Sequence, residues 1–336
     1  MFSPQTEWTP PDELKDLSQA KQIAIDLETR DPNLTTRGSG SVRDDGEIVG
    51  IAVAVEGWSG YFPIAHEGGG NIDKKIVLNW FKDVLQTPAT KIFHNAMYDV
   101  SWIRALGFKI EGRIVDTMIA GSLVNENRLR YNLNSLAKEY VGMGKNEKIL
   151  FEAAKEWGVN PKKEMWRLPA MHVGEYAEQD AVATLKLWER LQQEITAQDL
   201  WDIFNVETEL FPCLVDMKFK GVRVDIEKAA GLRKQLTKTE KDLHRDIKKL
   251  VGFDVEIWAA SSIQKAFDNQ KIPYDRTDKG APSFTKNFLA THPAELPKLI
   301  NEAREINKAN TTFIETILKH EHNGRIHSDI NQIRSD

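Results

Sequence analysis

Apolar positions along the chain follow two different patterns. Residues 21–28 (KQIAIDLE) form an apolar run that turns polar at its end, as a buried strand does. Residues 48–55 (IVGIAVAV) and 58–64 (WSGYFPI) predict two more strands, and the short connections suggest an antiparallel meander. The stretch 29–46 is long, polar and glycine-containing, and is predicted as a surface loop. Helical spacing then takes over at Ile76, Val77, Trp80, Phe81 and Val84, with Pro88 as a stop signal. Short strands at 91–93 and 114–115 each run into a helix, at 98–106 and 117–124. Asn134 is placed to cap a short helix through Tyr140, and 145–169 holds an amphipathic piece followed by a proline-bounded loop. A long helix is predicted over 174–193, with Tyr176, Ala177, Ala181, Leu185 and Trp188 on one side.

The second half loses the strand pattern. Helices are predicted at 208–219, ended by Gly221; from the Asp225 cap to about Leu250; at 261–269; and at 295–319. Residues 272–283 (IPYDRTDKGAPS) are a turn-rich loop. The fold class is therefore α/β with a mainly helical second part, and the 336-residue length allows about two domains.

Composition adds exclusions. With 41% hydrophobic and 28% charged residues, the chain is neither disordered nor collagen-like. No apolar run approaches the ~18 residues of a membrane span, and the acidic N-terminus lacks a signal-peptide core. Cys213 is the single cysteine, so an internal disulfide and a cysteine zinc site are excluded, and a cytoplasmic setting is expected. The net charge of −5 conceals a split: 22 basic and 18 acidic residues from Asp216 onward (+4), against 23 and 32 before it (−9).

Three short motifs carry candidate chemistry. Asp26 and Glu28 sit two apart on a predicted strand, so both carboxylates point to one face. A pair of this kind either faces water or holds a divalent cation, and oxygen-only ligands suit Mg²⁺ or Mn²⁺. Asp99 closes FHNAMYD (93–99) at a strand-to-helix junction, where an aspartate either caps the helix or serves a site. Tyr176 and Asp180, in YAEQD, share a helix face at i, i+4. VGMGKN (141–146) lacks the spacing and hydroxyl of a P-loop, and the histidines are not at zinc-ligand spacing.

Taken in order, the DxE strand, the NxxxD junction and the YxxxD helix resemble the 3′–5′ exonuclease domain of family A DNA polymerases. The stretches IVGIAVAV…YFPIAH, IVDTMIAGSLVN…LNSLAKEY and AEQDAVATLKLWERL are similar to the same family. The resemblance implies a ribonuclease H-like domain over residues 1–200, with a mixed central sheet flanked by helices. It implies that Asp26, Glu28, Asp99 and Asp180 hold two divalent metal ions, Mg²⁺ or Mn²⁺, and that Tyr176 orients the attacking water. It also places Asn95 near the terminal nucleotide, Leu34 and Phe93 against the last bases, and Arg130 on a phosphate.

ETELFPCLVDMKFKGVRVD (207–225), the stretch from TDKGAPS to FIETIL, and GRIHSDINQ (324–332) resemble the start and thumb of the polymerase domain. The resemblance implies that residues 201–336 are a partial polymerase region, truncated before the palm active site and unable to add nucleotides alone. The expected partners are a single-stranded 3′ end, a primer–template duplex and, if the polymerase is split, a separately encoded palm–fingers polypeptide; no membrane is expected. The stretch 147–173 and the absence of an upstream 5′-nuclease segment suggest a phage-type enzyme. Two alternatives are an RNA-processing exonuclease with the same acids, and a DNA-holding half of a split polymerase.

Overall fold

A computed structural model describes residues 6–144 and 146–333. It divides into two compact units: residues 1–220 with 328–336, and 221–327.

The first unit is built on a five-stranded sheet among the described residues, in the order β3-β2-β1-β4-β5. The strands are β1 (Gln22–Arg30), β2 (Glu47–Val55), β3 (Trp58–Pro63), β4 (Thr90–Phe93) and β5 (Ile114–Asp116). β1, β2 and β3 form the expected antiparallel meander, while β4 and β5 run parallel to β1. The result is the mixed sheet expected from the sequence.

Strand alternation sorts β1 into two cores. Ile23, Ile25 and Leu27 point into one layer, with Val77, Phe81, Phe93 and Ile103. That layer includes α3 (Lys74–Leu85) and α4 (Ala96–Ala105). Ala24 points into the other layer, with Ala52, Ala54, Tyr61, Ala177 and Ala181. Period two puts Asp26 and Glu28 on this second face. There the long helix α8 (Gly174–Ala197) packs on β1, β2 and β3 beside α5 (Thr117–Val124) and α6 (Leu133–Val141). Alanines on both sides let α8 approach the sheet closely enough to bring its polar positions to the DxE face.

Gly50, opposite Glu28 in the register, shows how tight this face is. A Cβ there would lie 2.0 Å from the Tyr61 hydroxyl. Gly50→Ala is therefore expected to lower stability by about 1–3 kcal/mol through overpacking, read as a lower urea midpoint at unchanged slope.

Several sequence expectations are corrected. The segment between β1 and β2 is no solvated loop: it holds short helices α1 (Leu34–Arg37) and α2 (Gly40–Arg43), and Ser39, Ser41 and Arg43 are buried. The Asp31 carboxylate accepts the Gly40 N–H, and Arg43 pairs with Asp45, so polar residues close this segment on itself. Asn132, not Asn134, caps α6, accepting the Ser135 N–H at 3.0 Å. The amphipathic piece of 145–169 is α7 (Lys148–Trp157). α9 (Trp201–Lys220) begins earlier than Thr208 and contains Pro212.

The second unit has its own core, in which Leu243, Ile247, Ile263, Phe267, Leu289 and Ile300 are buried together. It contains α10 (Ile226–Val251), α11 (Ala260–Asn269), α12 (Lys286–Thr291), α13 (Glu295–Lys308) and α14 (Glu315–His320). Asp225 caps α10 as expected, accepting the Lys228 N–H at 2.9 Å. The single helix expected over 295–319 is interrupted by a π-helical stretch, Ala309–Ile314, between α13 and α14. No helix among the described residues is long and apolar enough to cross a membrane.

Candidate active site

The three motifs meet where β1 outruns β4. Pairing between these strands covers Gln22–Ala24, and beyond it the Asp99 carboxylate takes the Leu27 N–H at 2.9 Å. This contact brings the first turn of α4 to the middle of the DxE sequence. The β1–β2 register shifts just after Glu28, a bulge that ends regular pairing beside the site.

Asp99 is 4% exposed and does not cap its helix. Burial, reinforced by the charge of Asp26, pushes its pKa well above the ordinary carboxylate value. Asp180 is 5% exposed on α8. Tyr176, one turn earlier, is raised by burial, then by Asp180, Glu28 and Asp26, and by a hydrogen bond to Asp180. One phenol thus feels three of the four predicted acids, and the fourth, Asp99, feels Asp26. The structure brings all five residues together.

Among the described residues, no three Asp, Glu, His or Cys side chains are grouped closely enough to hold a metal ion as they stand. The four acids meet as charges. Their chemistry nevertheless fits divalent cations: the donors are hard carboxylate oxygens, and burial and Asp26 both oppose the ionised form of Asp99, a cost that a cation would relieve.

Two further contacts fix α8. The Glu178 carboxylate, between Tyr176 and Asp180, accepts the Tyr61 N–H at 3.1 Å and the Trp8 indole N–H at 2.8 Å. The Tyr61 hydroxyl meets His66 Nε2 at 2.7 Å, and His66 Nδ1 meets the Leu168 carbonyl at 2.9 Å. A carbonyl only accepts, so Nδ1 carries the proton and Tyr61 donates to Nε2. Burial holds His66 neutral, with its pKa lowered to about 4.

Asp116 is the residue the sequence motifs missed. Its carboxylate accepts N–H groups from Asn95 (3.0 Å), Ala96 (2.7 Å) and Met118 (2.8 Å), capping α4 and α5 at once. Burial raises its pKa to about 6 against these bonds. An aspartate between a predicted strand and a predicted helix is a cap signal, but its second helix is distant in sequence.

A cleft of about 720 Å³ opens on the site, lined by Glu28, Tyr176, Leu34, Arg130 and Tyr98 among others. A second cavity of about 350 Å³ is lined by Asn95 and Asp116. Leu34 and Tyr98 line both, so they stand on the divide between them. Tyr98, within NAMYD yet not singled out by the motifs, meets the Thr29 hydroxyl at 2.5 Å. Phe93 is the correction among the substrate contacts. It is 0% exposed in the core beneath the sheet and offers no ring face to a base.

Residues 2–196 match a family model described as 3′–5′ exonuclease, of the DNA polymerase A type. The chain is similar to a DNA-directed DNA polymerase of Pseudomonas phage M6, with 33% identity over 98% of this chain and 51% of that protein. It is also similar to DNA polymerase I of Pseudomonas aeruginosa, with 26% identity over 95% of this chain and 35% of that protein. Its fold matches a solved structure, the POL domain of Pol1 from M. smegmatis in complex with DNA primer-template and dNTP. There the TM-score is 0.71 and the identity 18%, over 94% of this chain and 50% of that one. The chain spans about half the length of the first curated relatives it matches.

Proposed function

The chain belongs to the 3′–5′ exonuclease family of DNA polymerase A, and on that premise we propose that it hydrolyses the 3′-terminal phosphodiester of single-stranded DNA by a two-metal mechanism, as the proofreading part of a family A polymerase. The observation that carries this is the gathering of Asp26, Glu28 and Asp180 about Tyr176, with Asp99 beside Asp26, next to a cleft that Glu28 and Tyr176 line. We assign this activity to residues 1–200. Residues 201–336 are assigned to the start of the polymerase region, where duplex is held.

Asp26, Glu28, Asp99 and Asp180 would hold the two metal ions, Mg²⁺ or Mn²⁺, which when bound supply an activated water and neutralise charge on the departing 3′ oxygen. The protein's own residues do the rest. The Leu27 N–H holds the Asp99 carboxylate in place, and the Asp116 cap holds the helix that carries it. Burial and three neighbouring acids keep the Tyr176 phenol protonated, so its hydroxyl positions water and cannot act as a general base near neutrality. Leu34 and Tyr98, which line both cavities, are assigned to parting the last base from the one before it. Asn95 and Arg130 are assigned to the terminal nucleotide and to a phosphate, one at each cavity.

The test is polarity. A 5′-labelled single strand should shorten one nucleotide at a time, and a 3′-terminal label should leave as the first mononucleotide. Release from the 5′ end, or internal cuts, would overturn the proposal. Tyr176→Phe should slow the reaction about tenfold, the size of one lost hydrogen bond of ~1.4 kcal/mol, with no new break in the pH–rate profile below pH ~10.

A further inference from the structure

The lining of the large cleft includes Lys162 and Lys163, and we propose that these two lysines bind the phosphates of the strand behind the scissile bond. The inference rests on the exonuclease assignment above and adds the path of the substrate. Four observations support it.

First, both lysines line the cleft that holds Glu28 and Tyr176. They come from the stretch between α7 and α8, far in sequence from the DxE strand and from Asp99.

Second, the turn that presents them is fixed. The Asn160 side chain accepts the N–H of Lys162 and of Lys163, each at 3.0 Å. The Glu164 carboxylate accepts the Asn160 N–H at 2.8 Å, and the Glu164 N–H returns to the Asn160 carbonyl at 2.9 Å.

Third, this turn is tied to the core. The Leu168 side chain is fully buried, its carbonyl accepts from His66, and the Glu67 N–H donates to the Trp166 carbonyl at 2.9 Å. Gly68 makes the approach possible, because a Cβ there would lie 2.3 Å from Pro169 N.

Fourth, both cations are uncommitted. Each is exposed, and among the described residues neither shares an ion pair. The neighbouring acid, Glu164, is taken by Asn160 and Arg167.

Charge gives the ligand class. The half of the chain that carries the cleft is acidic by nine charges, so it repels a polyanion overall. Two lysines on a fixed turn, with Arg130 on the same cleft, supply local attraction for a phosphodiester backbone. The carboxylate cluster would meet the bond to be cut, and the two lysines the phosphates that precede it.

The test compares wild type, Lys162→Ala/Lys163→Ala and Lys162→Arg/Lys163→Arg. Binding of a fluorescent single strand is measured by anisotropy in chelator, where no hydrolysis occurs, across a salt series; hydrolysis is measured separately. The double alanine variant should raise Kd and KM about tenfold, leave kcat within twofold, and flatten the log Kd–log salt slope by about 1.4, near 0.7 per phosphate contact on a single strand. The double arginine variant should restore all three. Both side chains are exposed, so the urea midpoint should not move. Unchanged Kd and slope, or a fall in kcat alone, would overturn the inference while leaving the exonuclease assignment intact. A wild type that binds the strand through these lysines but never shortens it would sink the assignment and keep the binding surface.

Discussion

Asp99→Asn should abolish the proposed hydrolysis of the 3′ end and leave the protein as stable as the wild type or more so. The substitution keeps an oxygen that accepts the Leu27 N–H, so the contact that docks α4 on β1 survives. What it removes is an ionisable carboxyl, 4% exposed, beside Asp26. Removing one member of a two-metal carboxylate set should lower the rate at least ~10³-fold, and chelation of divalent cations should lower wild-type activity as far. Stability moves the other way. Because the folded pKa of Asp99 is raised, the folded protein holds this proton more tightly than the unfolded chain. The stability it confers is full below the ordinary carboxylate pKa and is lost as pH rises through the elevated value. The asparagine variant lacks that loss, so the advantage of the variant should widen with pH. Urea midpoints at several pH values, paired with end-labelled hydrolysis assays, measure both effects. Full activity in the variant, or in chelator, would show that the carboxylates serve structure alone.

This opposition between function and stability also explains how much of the site was legible in the sequence. Asp26, Glu28, Asp99, Tyr176 and Asp180 stood out because three short motifs, taken in order, resemble one exonuclease family, whereas each motif alone also fits a solvated pair, a helix cap or a core tyrosine. The strand alternation that put Asp26 and Glu28 on one face followed from chemistry within nine residues. So did the Asp225 cap and the 117–124 helix, whose bounds the structure reproduces as Thr117–Val124. Features that depend on distant partners were not legible. Phe93 looked available for stacking, yet the opposite layer of helices covers it completely. The segment between β1 and β2 looked solvated because its residues are polar, but Asp31, Gly40, Arg43 and Asp45 satisfy one another inside it. Lys162 and Lys163 belong to no sequence motif, and only the fold brings them to the cleft that Glu28 lines.

Asp116→Ala should produce the second large effect, on the scaffold itself. Three backbone N–H groups, on Asn95, Ala96 and Met118, lose their acceptor together. A buried donor left unpaired costs about 1–3 kcal/mol, and partial access to water reduces the sum, so a loss of about 2–4 kcal/mol is expected. The consequence reaches the carboxylates because of where the caps fall. Asn95 is held at φ 66, a left-handed backbone that a non-glycine residue adopts at a cost, and the Asp116 carboxylate binds its N–H. Freed of that contact, Asn95 relaxes toward negative φ, and the first turn of α4 turns with it. Asp99, four residues on, then leaves the Leu27 N–H. A displacement of this kind should slow hydrolysis about 10–100-fold even at temperatures where the variant remains folded. The pH dependence identifies the group responsible. The folded pKa of Asp116 is raised to about 6, above the usual 3.8, so its contribution is greatest below pH about 4 and diminishes as pH rises through about 6. The stability gap between wild type and Asp116→Ala should therefore narrow over that interval. Asp116→Asn retains one acceptor but turns an amide donor toward the other N–H groups, and should fall between the two. If Asp116→Ala unfolds at the wild-type urea concentration, the double cap is not what holds the site together.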